Sequence, residues 1–115
     1  MRAAVQSWKI APISRAEDFW RRFEECVCRA ADLGAGLLVL PELITMELEG
    51  LFDHPADRRQ DRFPLLDDDL RLRSSLAVEH SMVIVAGSSL FLDSGHWINR
   101  SLIFWPSGQV THQDK

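Results

Sequence analysis

At 115 residues, with 46% hydrophobic and 26% charged side chains, the chain has the composition of one globular domain and not of a disordered tail or a fibrous repeat. A formal net charge of −4 at pH 7 and a pI of about 5.5 argue against nucleic acid as a partner, since phosphate contacts call for a basic face. The opening stretch lacks the apolar run and cleavage pattern of a signal peptide, and no segment approaches the roughly 18 uninterrupted apolar residues of a membrane span. A soluble, cytoplasmic protein without a membrane partner is therefore expected.

Residues 2–8 form a short, mostly apolar run and predict a first strand. Ser14 is then the expected N-cap of a helix with Glu17 and Asp18 in its first turn, where carboxylates suit the helix dipole. Ala16, Phe19, Trp20, Phe23, Val27, Ala30 and Ala31 recur at three- and four-residue spacing, which is the period of one buried helical face. Gly34 and Gly36 end that helix, and the apolar run Leu37–Leu40 predicts a strand covered on both sides. Strand, helix and strand in this order form a βαβ unit with a parallel pair and a right-handed crossover. Residues 47–62 are charged and irregular, and Arg58, Arg59 and Arg62 alternate there with Asp57 and Asp61 as a solvated loop. Pro64 opens a second helix that runs to about His80, with Asp67, Asp68 and Asp69 as its solvated start. Residues 82–87 predict a third buried strand, and residues 97–106 and 109–112 a strand pair around Pro106-Ser107-Gly108. The fold class is α/β.

The side chains that invite chemistry are few. Cys26 and Cys28 fit neither a disulfide framework nor a CxxC site. Both fall on the first helix, with no histidine or glycine-rich elbow beside them to activate a thiol, and read as packing. His54, His80, His96 and His112 are scattered without zinc-ligand spacing, and Trp8, Trp20, Trp97 and Trp105 read as core or interface packing. Glu47 and Glu49 follow the second strand closely enough to line a pocket mouth, without an assigned role. Glu42 differs from these. It sits one proline beyond a buried strand, where functional groups of open α/β sheets gather. Partial desolvation there raises a carboxylate pKa and suits it to base work, whereas a helix cap or a solvated side chain is the plainer alternative.

Three motifs in order weigh on that choice. GAGLLVLPE, ending at Glu42, is followed by LAVEHSMVIVAGSS, which contains Gly87-Ser88, and then by INRSLIFWPSGQVTHQDK, which ends at Lys115. Together they cover essentially the whole chain, and it resembles the amino-terminal half of the nitrilase superfamily of carbon–nitrogen hydrolases. The resemblance implies part of a four-layer α-β-β-α sandwich about twice as long as this chain. It implies Glu42 as general base and Lys115 as the cation that stabilises the transition state, with a cysteine nucleophile beyond the last residue here. It further implies a small-molecule amide or nitrile substrate, no metal or organic cofactor, and a homo-oligomer in the full-length form. On this reading residues 1–115 are the amino-terminal portion of one domain, incomplete at the carboxyl end and inactive alone. They would leave apolar sheet surface and strand edges uncovered. The alternative is a truncated, non-catalytic relative that acts as a binding or assembly subunit. A flavodoxin-like module is disfavoured, because QSWKIAP stands where a phosphate-binding glycine loop is needed.

Overall fold

A computed structural model describes residues 1–51 and 62–115. Along the chain it contains β1 (Ala3–Val5), α1 (Ala16–Asp32), β2 (Leu37–Leu40), α2 (Met46–Glu49), α3 (Arg62–Glu79), β3 (Val83–Asp93), β4 (His96–Phe104) and β5 (Val110–Asp114). The strands form one mixed sheet in the order β1-β2-β3-β4-β5. The first three are parallel, and β4 and β5 add antiparallel.

The stripe expected on α1 is the one that packs. Phe19, Phe23 and Val27 have no exposed surface, and Cys26 and Ala30 are buried with them. Arg15 and not Ser14 occupies the N-cap, without a side-chain bond, so Ser14 stands one residue too early to cap the first turn. The other end is a Schellman turn. Gly34 takes φ +78°, its N–H bonds to Ala31 O at 2.9 Å, and Ala35 N–H bonds to Ala30 O at 3.0 Å.

β1 is shorter than the apolar run suggests, because its partner β2 has only four residues. After Gln6 the chain leaves the sheet, and Trp8 turns inward onto Phe19, with ring centroids 5.4 Å apart. Trp8 and the backbone N–H of Ala11 both donate to Glu47 Oε1, at 3.1 and 3.0 Å, and Arg22 reaches the same oxygen at 2.6 Å. The Glu47 side chain is fully buried. It fastens α2 to α1 and to the segment after β1, and with Ile10, Pro12, Ile13 and Met46 it also lines a surface cavity, as its place after the second strand suggested. The expected irregular loop is thus helical at its start, in α2, and at Arg62, where α3 begins, while its residues 52–61, with His54, Asp57, Arg58, Arg59 and Asp61, lie outside the described residues.

Alternation along the strands sorts the sheet into two faces. Leu38 and Leu40 of β2, Ile84 and Ala86 of β3, and Leu102 and Phe104 of β4 are buried together with Leu76 and Ala77 of α3 and the α1 stripe. Register explains the grouping, since Leu38 pairs with Ile84, and Ile84 with Phe104. On the opposite face Leu37, Val39, Val83, Val85 and Ile103 are only half-buried, and Val5 is 82% exposed. Both long helices lie on the first face, and the second stays open among the described residues.

α3 carries an unexpected buried ion pair. Arg73 Nε bonds to Asp69 Oδ1 at 2.9 Å and Nη2 lies 2.7 Å from Oδ2, with both side chains almost wholly buried. Asp69 therefore belongs to the core and not to a solvated helix start. The guanidinium stacks against Phe19 and Phe23 at 5.6 and 5.1 Å and donates to Ala86 O at 3.2 Å, which ties α3 to α1 and β3. Burial pushes the Asp69 carboxyl up, against the pull of Arg73.

Candidate active site

The sheet brings together two residues that lie 73 positions apart. β2 delivers Glu42 just past its carboxyl end, and Glu42 Oε1 accepts a bond from Lys115 Nζ at 2.6 Å. The same oxygen accepts from Asn99 Nδ2 at 2.7 Å. The register of the last two strands accounts for this meeting. Arg100 pairs with Asp114, and one step on, Lys115 N–H bonds to Asn99 O at 3.0 Å. Asn99 and Lys115 are thus opposite one another, and alternation sets both on the open face with Ser101 and Ile103. Arg100 and Asp114 project to the other face, where a two-bond pair at 2.6 and 3.1 Å holds the end of β5.

A second set of contacts shapes the loop that carries Glu42. β3 departs from regular pairing between Val85 and Ser88, and Gly87 there takes φ +69°. A Cβ on Gly87 would lie 1.9 Å from Pro41 O, so only glycine lets the two backbones pass. Ser88 Oγ accepts the Leu43 N–H at 3.0 Å, Thr45 Oγ donates to Ser89 Oγ at 2.8 Å, and Ser101 Oγ donates to Gly87 O at 2.8 Å. Leu43 itself is left-handed at φ 57°, a costly conformation for a leucine, and the bond from its N–H helps to hold it. Bulges and strained backbone are a recurring way of aiming a side chain.

The electrostatics reverse one expectation. Glu42 and Lys115 are each 53% exposed, so burial does little at either. The Lys115 hydrogen bond first, then that of Asn99 and the Lys115 charge, hold the Glu42 carboxyl below the usual glutamate range. Desolvation works the other way and loses. Glu42 is therefore an anion at neutral pH with Oε1 engaged twice.

His80, at the end of α3, comes to 3.9 Å from Cys28 Sγ by its Nε2, a neighbour supplied by the fold where the local sequence has none. The approach does not activate the thiol. Burial first, and then Glu24, Asp32 and Glu79, push Cys28 up, and burial pushes Cys26 up. A thiol that keeps its proton is a poor nucleophile. Neither cysteine is a hydrogen-bond partner of Glu42 or Lys115. Among the described residues no group of three or more His, Cys, Asp or Glu side chains is placed to hold a metal ion. Trp97 and Trp105 are 47% and 37% exposed, so of the two roles expected of the tryptophans, core or interface packing, these two do not fill the core.

Asn99 is the residue that sequence reasoning missed. It stands in the INRS motif, but its partner is 57 positions away, and no local pattern announces that contact.

The carbon-nitrogen hydrolase family model matches residues 2–115. Among solved structures, the chain is similar to an amidase from Nesterenkonia sp. with TM-score 0.72 and 19% identity, covering 100% of this chain and 42% of that one. It is similar to a carbon-nitrogen hydrolase from Helicobacter pylori G27 with TM-score 0.71 and 16% identity, covering 96% of this chain and 38% of the other. The NitFhit protein of C. elegans gives TM-score 0.77 and 16% identity, covering 98% of this chain and 27% of its own. No curated protein matches in sequence. The five-stranded mixed sheet is thus part of the nitrilase fold, and the chain spans about two-fifths or less of the structures it matches. With the family match spanning nearly every residue, the chain belongs to the carbon–nitrogen hydrolase family.

Proposed function

We propose that this chain supplies two catalytic groups of a hydrolase acting on non-peptide carbon–nitrogen bonds, with Glu42 as general base and Lys115 as the stabilising cation. On this proposal residues 1–115 are the amino-terminal portion of the domain, and the nucleophilic cysteine comes from a segment that follows. The observation that supports it most is the 2.6 Å contact of Glu42 with Lys115, made by residues from two different strand ends of one sheet. In the reaction the cysteine thiol gives its proton to Glu42 as its sulfur attacks the carbon of an amide. The Lys115 ammonium offsets the negative charge that gathers on the former carbonyl oxygen. The protonated Glu42 returns the proton to the departing ammonia or amine, and then takes one from the water that hydrolyses the thioester. A nitrile would be attacked at the same carbon, with the charge gathering on nitrogen. No cofactor takes part.

One solved form of the Nesterenkonia amidase carries acrylamide added at its active-site cysteine, which agrees with a cysteine nucleophile in this fold. The substrate class is small amides or nitriles, and the whole protein is proposed to be a cytoplasmic homo-oligomer. No helix among the described residues is long and apolar enough to cross a membrane.

The test compares the 115-residue chain with the longest protein its gene encodes, each assayed for ammonia release from small amides and nitriles. The short chain is expected to be inactive, and the longer protein active until Glu42→Gln or Lys115→Met is introduced. Hydrolysis that survives Glu42→Gln would refute the assignment. A second reading is favoured by the open apolar sheet face and by the two thiols, neither of which is activated or bonded to Glu42: a non-catalytic relative that binds or assembles through that face. A stop codon directly after Lys115 in the source gene would favour it.

A further inference from the structure

The Glu42–Lys115 contact is a weak way to fix a carboxylate. Both side chains are 53% exposed, and a lysine carries a long flexible stem, so such a pair holds no single geometry well in water. Asn99 is placed differently. It lies within β4, half-buried, with Leu90 of β3 on one side and the backbone of Lys115 bonded to its carbonyl on the other. Its short side chain leaves few rotamers, and its amide donates to Glu42 Oε1 at 2.7 Å. Asn99 Oδ1 is buried with no hydrogen-bond partner among the described residues, while its amide turns toward the carboxylate.

We propose that Asn99 is the positioning residue of the site: it fixes the Glu42 carboxylate by Oε1 and so leaves Oε2 as the oxygen that accepts the proton. The inference rests on the reading of Glu42 as a base, but concerns how that group is held. Two donors converge on Oε1, from Asn99 and from Lys115, and among the described residues no hydrogen bond engages Oε2. A hydrogen-bond donor suits the position because its partner is an anion. An aspartate there would set two carboxylates against each other, and a leucine would fill the space without holding anything.

The charged and titratable groups near Glu42 on the elements that meet there are Lys115 itself, and Arg100 and Asp114 on the reverse side of the same two strands. The last two satisfy one another. The titration of Glu42 therefore reports on Asn99 and Lys115.

The experiment is a carbon-detected NMR titration of the Glu42 carboxyl in the 115-residue chain and in Asn99→Leu, Asn99→Ala, Asn99→Asp and Lys115→Met variants. Leucine matches asparagine in size and alanine is smaller, so the result is read from whichever keeps the native amide spectrum of β4. Loss of Asn99 is expected to raise the Glu42 midpoint even though Lys115 remains, and the aspartate variant to raise it further. A midpoint that moves in Lys115→Met but stays at the parent value in Asn99→Leu and Asn99→Ala overturns the proposal, since Lys115 alone would then hold the carboxylate. The outcome is separate from catalysis. If Glu42 is not the base, Glu42→Gln leaves hydrolysis by the longer protein intact, whatever the titration of the Asn99 variants gives.

Discussion

Replacing Arg73 by alanine removes the cation at the centre of the core and leaves its anion behind. Asp69 would keep a buried carboxylate with no guanidinium, Ala86 O would lose its donor, and Phe19 and Phe23 would lose the group stacked on them. Breaking one side of a buried pair costs about 3–5 kcal/mol, against a total stability of about 5–15 kcal/mol for a domain. The cost is large because the remaining charge cannot reach water, and not because the pair itself stabilises the fold strongly. Changing both partners separates these causes. Arg73→Met with Asp69→Leu keeps the volume apolar and should recover most of the loss, since such replacements are often neutral or stabilising by about 1–4 kcal/mol. Urea unfolding followed by tryptophan fluorescence reads both variants on one scale. The pH dependence gives a further sign. Burial already raises the folded-state pKa of Asp69, and without Arg73 only the weaker pull of Trp20 opposes it, so the pKa rises further above the unfolded value. The alanine variant therefore loses most stability above that pKa, and its deficit narrows as acid protonates the carboxyl. A loss below about 1 kcal/mol at neutral pH, or a double variant no better than the single one, would refute the reasoning.

Two other perturbations test how the site is built. Gly87→Ala places a methyl 1.9 Å from Pro41 O at a left-handed backbone position, and should destabilise the chain by about 2 kcal/mol or more, read from the urea midpoint; an unchanged midpoint would mean that the Pro41 loop is free to move. Asp114 is held below the usual aspartate range first by the hydrogen bond from Arg100, so this contact is intact above the ordinary carboxylate pKa and is lost as pH falls through the depressed one. Amide exchange at Lys115, whose N–H bonds to Asn99 O, should then quicken more steeply in acid than the exchange of Trp105, whose N–H bonds to Gln109 O at the turn of the hairpin, once intrinsic rates are removed.

Local chemistry made the fold legible where one element carries its own signal. The α1 stripe, the four apolar residues of β2 and the Pro106–Gly108 turn are each written within a few neighbouring residues. The hairpin from β3 to β4 was not, because its turn is Ser94-Gly95, with Ser94 at φ 50° and Gly95 at φ 80°, and a serine is a weak advertisement for that conformation. Asp69 and Glu47 misled for a related reason. A carboxylate near a helix start reads as solvated, and one in a charged stretch has no assigned role, until a partner is seen, and Arg73 and Arg22 become partners only once the helices pack. The same limit hid Asn99. Its meeting with Glu42 depends on the order of five strands and on the register of the last two, which no window of sequence contains.

Glu42 shows how an expectation can be sound locally and fail for lack of a layer. A carboxylate one proline past a buried strand is expected to be desolvated, and desolvation raises its pKa. Here the two donors win and the pKa falls, because the carboxylate is 53% exposed. The exposure follows from the face on which it stands. Glu42, Asn99 and Lys115 meet beside Val39, Val85 and Ile103, half-buried residues on the side of the sheet that neither α1 nor α3 covers. On the proposed function, a layer laid over those apolar side chains would also remove water from Glu42. The two donors would then act in a lower dielectric, where their hold on the carboxylate strengthens as its desolvation cost grows. The apolar face and the polar site would thus be one problem: burial of the first would set the basicity of the second.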